Sequence, residues 1–138
     1  MTQDADALRL WTQLTLVRDV RLARERRAVD EARMGVERAA LGVQSARAAL
    51  ARHFVAERAI VETCRREAPA SEGWLATLRA HRGETPLLRH AIDDAARLLD
   101  QAHALAAQAL QRWERARFLH EDSGKRADAL RRQILDDD

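Results

Sequence analysis

The side chains best suited to chemistry in this 138-residue sequence are its histidines. They are His53, His81, His90, His103 and His120. None of them stands four residues from another, which is the spacing that places two zinc ligands on one helix face in an H-E-x-x-H motif. Folding could bring His53 close to His103. Two imidazoles without a carboxylate or thiolate still make a poor metal site. We therefore predict no metal site and no cofactor.

Nucleophilic catalysis would need an activated thiol or hydroxyl in an enclosed cleft. Cys64 is the single cysteine, which excludes an intramolecular disulfide, and no base lies near it in the sequence. No glycine-rich phosphate loop is present. We predict no catalytic residue, and a chain that is not an enzyme.

The densest basic segment spans residues 17–27 and reads VRDVRLARERR. Asp19 and Glu25 interrupt it, no aromatic residue is interleaved for base stacking, and the formal net charge of the chain is only +2. Nucleic-acid binding normally relies on a concentrated positive surface. We therefore expect no nucleic-acid partner.

The composition predicts long helices. Aromatic residues make up 4% of the chain and charged residues 33%, while alanine, leucine, arginine and glutamate dominate. This bias is typical of coiled coils and long helices. The two prolines are Pro69 and Pro86, so a break is expected between them. We predict one all-α domain over residues 1–138, with helix one at about 4–67, a joint at 68–85 and helix two at about 86–135.

Apolar or small residues recur every seven positions along both predicted helices. In helix one the two series run from Leu8 to Cys64 and from Trp11 to Ile60; in helix two they run from Leu88 to Leu130 and from Ile92 to Ile134. Spacings that alternate between three and four residues keep one stripe facing one partner helix. Two such stripes separated by a joint predict an antiparallel coiled-coil hairpin.

The joint carries the signals of a short helix or a loop. Ser71 can cap a short helix that continues through Arg82 and ends at Gly83. Thr85 is the expected cap of helix two. One face of the short helix carries Trp74, Leu78 and His81. These three residues either pack against the long helices or form a docking surface for a partner, because tryptophan often anchors interfaces.

The expected register places Arg66 near Leu87 and sets Trp113 opposite Ala39 and Ala40. In that register the residues before about Asp19 have no partner in helix two, although this end of helix one is strongly apolar. Its apolar residues are Leu8, Leu10, Trp11, Leu14, Leu16, Val17 and, next to Asp19, Val20. An exposed apolar helix end predicts an interaction site. The alternative is a compact joint with a different register, which leaves less of helix one unpaired.

The whole layout resembles the FliJ/YscO family, the central stalk proteins of flagellar and injectisome type III secretion. The resemblance is carried by the opening LRLWTQLTLVRDVR, the Ala/Arg heptads through Leu50, the broken middle around Pro69–Pro86 and the closing WERARFLHEDSGKRADAL. It covers nearly the full length of the chain.

This resemblance implies a stalk that binds and regulates a hexameric secretion ATPase and couples it to an export gate protein, with secretion chaperones as further partners. It assigns two groups of contact residues by their place at the ends of the hairpin. The ATPase contacts are Leu8, Trp11, Leu14, Arg18, Arg21, Leu130 and Ile134; the gate contacts are Trp74, Leu78 and His81.

A cytoplasmic location, peripheral to the inner-membrane secretion apparatus, agrees with the absence of a basic N-terminal region and of an apolar stretch long enough to span a bilayer. A free stalk is expected to be monomeric. Two alternatives remain open. One is a coiled-coil adaptor, scaffold or chaperone-like protein without an ATPase partner, and the other is a two-helix module that dimerises into a four-helix bundle.

Overall fold

Three helices make up the computed structural model, which describes residues 2–67 and 71–137. They are α1 (Thr2–Arg66), α2 (Glu72–Gly83) and α3 (Thr85–Asp137). Within those ranges there is no strand, so the all-α prediction is confirmed. None of the three helices has an apolar stretch that would cross a membrane. Pro69, the first of the two prolines between which the break was predicted, lies outside the described residues.

The seven-residue series predict which side chains face inward. Every member of the four series is buried or half-buried in the structure, including the half-buried Cys64. The apolar residues with the least exposure are small or β-branched: Val29, Val43, Ala109, Ala116 and Ala127. Small side chains let two helices approach closely, as dense packing requires.

The helices form two compact units. The first unit contains Met1–Met34 and Ala104–Asp138, and the second contains Gly35–His103. In the first unit the Asp19 carboxylate lies 3.4 Å from His120 Nε2, and the Glu25 carboxylate lies 3.4 Å from Arg112 Nε. Residues further along α1 pair with residues nearer the start of α3. The two segments of this unit therefore run in opposite directions.

In the second unit, α2 packs along α1. His81 Nε2 lies 2.8 Å from the backbone carbonyl oxygen of His53, and Arg82 Nε donates to Glu57 Oε1 at 2.9 Å. Ser71 caps α2, as predicted, by accepting a hydrogen bond from the Trp74 backbone N–H. α2 and the start of α3 therefore both pair with α1 in this unit, and we call them the returning arm.

A single residue, Glu84, separates α2 from α3. Its backbone N–H donates to the carbonyl oxygen of His81, and its own carbonyl accepts from the Leu88 N–H. Pro86 lacks an N–H, so it cannot donate to the residue four positions earlier, and this interrupts the helix here. Thr85, the expected cap, is the first residue of α3, and its hydroxyl lies 2.8 Å from His53 Nε2.

The predicted register, with Arg66 near Leu87, is wrong because α2 itself pairs with α1. Twelve residues of α2 run back along α1, so α3 begins its own pairing about four turns nearer the start of α1 than predicted. Trp113 accordingly lies beside Arg26, whose Cζ is 5.8 Å from the ring centroid, and not opposite Ala39 and Ala40. The predicted register would also have set Glu25 against Asp128.

A polar cluster fixes this register in the first unit. It lies where α1 and α3 pack together, along the line of contact that we call the seam. Arg18 Nη1 donates to the carbonyl oxygen of Leu119 at 2.8 Å and to Ser123 Oγ. Ser123 is fully buried and donates in turn to the Leu119 carbonyl at 2.9 Å. A shift along the seam would take the half-buried Arg18 guanidinium away from both acceptors, whereas Ser123 would keep its hydrogen bond to Leu119 on the same helix.

Ser123→Leu is expected to lower the free energy of unfolding by about 1–3 kcal/mol, because the larger side chain has no room beside Arg18 and Leu119. The matched control is Ser45→Leu at an exposed α1 position, where the change should stay within about 0.5 kcal/mol. Urea unfolding followed by circular dichroism measures both. Equal effects at the two positions would contradict a tightly packed seam at Ser123.

Candidate protein-interaction surface

The N-terminal part of α1 has partners on α3, so the predicted unpaired end is wrong. The Trp11 ring lies under Arg126, whose Cζ is 4.8 Å from the ring centroid. Arg18 is bound to Leu119 and Ser123, as described above. The alternative register, with a compact joint and less overhang, is the one observed.

The residues assigned to ATPase binding therefore fall into two groups. Arg21 is exposed. The others are half-buried, namely Leu8, Trp11, Leu14, Arg18, Leu130 and Ile134. Half-buried residues on the seam contribute mainly to helix pairing, and Arg21 is the member of the set most open to a partner. Their role in binding an ATPase stays a prediction.

A different set of apolar side chains points into solvent. Leu10, Leu16, Val17 and Val20 are each between 59% and 66% exposed. Val17 stands seven residues after Leu10, and Val20 stands four after Leu16 and three after Val17, so the four share one side of the helix. This side is turned away from the seam that contains Trp11 and Arg18. We call these four residues the outer face.

Arginines border the outer face. Arg9, Arg24 and Arg27 are exposed and lie seven residues from Leu16, Val17 and Val20 respectively. The acidic residues between Arg9 and Arg27 are Asp19 and Glu25, and both are paired with α3 side chains. The outer face is thus apolar with a positive border. Such a surface complements an acidic partner that offers apolar side chains.

The predicted gate contacts lie on α2, and the contacts of His81 favour the first of the two alternatives, packing against the long helices. Its ring stacks on the His53 ring with centroids 3.9 Å apart and 8° between the planes. Trp74 and Leu78, on the same side of α2, are half-buried. Their role at an export gate stays a prediction.

His53 lies at the centre of a polar cluster in the second unit. It is 6% exposed, its Nε2 lies 2.8 Å from the Thr85 hydroxyl, and its Nδ1 lies 3.8 Å from Glu84 Oε2. The expected approach of His53 to His103 is wrong. His103 is exposed and stands about 27 Å further along α3 than Thr85.

Glu84 is the functional candidate that sequence reasoning missed. It follows His81 by three residues, which would place both on one helix side, but their significance depends on His53 arriving from α1. Only the correct register shows that His53 lies beside His81 and Glu84. No family model, curated protein or solved structure matches this chain.

The seam and the outer face should respond differently to substitution. Trp11→Ala with Leu14→Ala is expected to lower the free energy of unfolding by at least about 3 kcal/mol, because both side chains are half-buried beside α3. Leu16→Gln with Val20→Gln should change it by no more than about 0.5 kcal/mol per site, because both positions are exposed and glutamine suits a helix. Urea unfolding of both double variants measures the two changes in the free energy of unfolding. Greater destabilisation by the outer-face pair would contradict the assignment of the two surfaces.

Proposed function

We propose that this chain is the non-catalytic central stalk of a type III secretion system, which binds and regulates the hexameric secretion ATPase and couples it to the export gate. The likeness to the FliJ/YscO family in sequence layout supports this proposal, as does the pairing of two long helices. The observation that carries it furthest is the outer face, an exposed apolar surface with an arginine border on the N-terminal part of α1.

The finer architecture belongs to the same proposal. We take α1 and α3 to form an antiparallel coiled coil, because the buried positions recur at seven-residue intervals along both helices. A two-helix stalk inside a six-fold ring cannot contact all six subunits alike. It can therefore favour nucleotide closure at one subunit interface over the others, without contributing a catalytic group.

The outer face replaces the seam as the proposed ATPase contact. Leu8, Trp11, Leu14, Leu130 and Ile134 are half-buried in the pairing of the helices, whereas Leu16 and Val20 are free to enter an apolar recess. Arg21 stays in the proposed contact because it is exposed, and with Arg9 and Arg24 it would face acidic loops of the ring. Arg18 acts instead as the seam residue that holds the register.

Export-gate binding is proposed for the α2 side of the second unit. Trp74 and Leu78 retain part of their surface, while His81 is held against His53 and would position α2. Secretion chaperones are further candidate partners, and the protein would act as a monomer in the cytoplasm beside the inner-membrane apparatus.

Titrating the protein into the hexameric P-loop ATPase from the same genome tests the proposal. Saturable stimulation of ATP hydrolysis is expected, and the Leu16→Gln/Val20→Gln variant should lose at least about tenfold in apparent affinity, which corresponds to about 1.4 kcal/mol. The reason is that two exposed apolar side chains would be buried in the complex.

The matched control is Leu41→Gln with Val55→Gln, which makes the same change at two equally exposed positions of the same helix. It should stimulate hydrolysis like the unmodified chain. A folded, helical protein that neither binds the ATPase nor changes its rate would overturn the stalk proposal and favour an adaptor or scaffold role. A stable dimer in light scattering would favour the four-helix bundle.

A further inference from the structure

We propose that His53, His81 and Glu84 form a binding site for a first-row transition metal cation, with Zn²⁺ as the best match. One ring nitrogen of each histidine and one carboxylate oxygen of Glu84 lie within 4.8 Å of one another. The prediction of no metal site rested on two histidines without an acidic partner. Glu84 supplies that partner, and the inference does not depend on the proposed function.

Each imidazole has one nitrogen in a hydrogen bond, which leaves its other nitrogen for a metal. The two rings stack with 8° between their planes, so they must tilt apart for both nitrogens to reach one ion. His81 Nε2 lies 2.8 Å from the carbonyl oxygen of His53. A carbonyl only accepts, so this nitrogen carries the hydrogen, and in the neutral ring the lone pair is then on Nδ1. Metal-binding histidines commonly donate their second N–H to a backbone carbonyl in this way, which fixes the ring and its tautomer.

His53 is held by a similar hydrogen bond on its far side. Its Nε2 lies 2.8 Å from the Thr85 hydroxyl, and a hydrogen donated there leaves the Nδ1 lone pair directed at Glu84, whose Oε2 is 3.8 Å away. One nitrogen of each ring and one carboxylate oxygen then lie within 4.8 Å of one another. A cation between the three groups would be attracted by all of them.

The three ligand atoms lie within 4.8 Å of one another and must move closer to share one ion. With metal–ligand bonds of about 2.0–2.1 Å, two ligand atoms of a tetrahedral zinc site lie about 3.3 Å apart. His53 Nδ1 and Glu84 Oε2 must therefore approach by about 0.5 Å. The Glu84 side chain is 64% exposed and free to make that movement, while the buried His53 ring provides a rigid support.

The ligand types select the class of metal. Imidazole nitrogen suits Zn²⁺, Ni²⁺ and Cu²⁺, whereas Mg²⁺ and Ca²⁺ prefer sets made of oxygen atoms. Three protein ligands leave a fourth position for water. The ligands come from α1, from the last turn of α2 and from the single residue between α2 and α3. A bound metal would consequently tie the interrupted part of the returning arm to α1.

Metal binding can be measured on the full chain after treatment with a chelator. Isothermal titration with ZnCl₂ should give one site per chain, and saturating Zn²⁺ should raise Tm by about 5 °C or more. Co²⁺ should bind with the visible absorption of a tetrahedral site. MgCl₂ should give neither heat nor a shift in Tm.

Glu84→Gln is the main variant, because the Glu84 side chain is 64% exposed and glutamine keeps its shape while removing its charge. It should weaken Zn²⁺ binding by at least about tenfold. His81→Gln should abolish the site, and circular dichroism shows whether that variant remains helical. The control is His90→Gln with His103→Gln, which removes two exposed histidines and should leave the affinity unchanged.

Two results would overturn the proposal. One is the absence of Zn²⁺ binding in the folded, unmodified chain. The other is a Zn²⁺ affinity that survives Glu84→Gln but falls in the His90→Gln/His103→Gln control, which would place the binding on exposed histidines.

Discussion

Each polar side chain on the α1 seam needs a partner, and this need selects one alignment of the helices from several that the apolar pattern would allow. Arg18 is bound to Ser123 and the Leu119 carbonyl in the first unit, and Glu57 is bound to Arg82 in the second. The apolar seam residues are largely alanine, valine and leucine repeated every seven positions, so a slip of one heptad would preserve most apolar contacts. A slip would take the half-buried Arg18 guanidinium away from both acceptors, and a partly buried charge without a hydrogen-bond partner costs more than one lost apolar contact.

That constraint accounts for what the sequence predicted and what it did not. The stripes were predictable because burial repeats with the helix period, and every residue of the four series is buried or half-buried. The Ser71 cap was predictable because its signal is local. The register was not predictable from the seven-residue series, since it depends on whether α2 pairs with α1 or stays outside the pairing of the helices. The decisive contacts, His81 with His53 and Arg82 with Glu57, join residues far apart in the chain.

The candidate sites follow from the same alignment. Pairing the N-terminal part of α1 with α3 divides its apolar residues between the seam, where Trp11 lies under Arg126, and the outer face, where Leu16 and Val20 remain exposed. Sequence alone recognised an excess of apolar residues there but not this division. The returning α2 also carries His81 to His53, with Glu84 beside both. The proposed binding surface and the proposed metal-ligand cluster both follow from this alignment of the helices.

Cross-linking of paired thiols tests this alignment most directly. In a Cys64→Ser background, Asp19→Cys with His120→Cys joins two positions whose native side chains lie 3.4 Å apart. A register with Arg66 near Leu87 would instead place Arg33 beside His120, so Arg33→Cys with His120→Cys is the matched pair. With a short bis-maleimide at low protein concentration, we expect an intramolecular cross-link, identified by mass, in the Asp19/His120 pair and none in the Arg33/His120 pair. The reverse result would contradict the register and, with it, the placement of the outer face and of the His53 cluster.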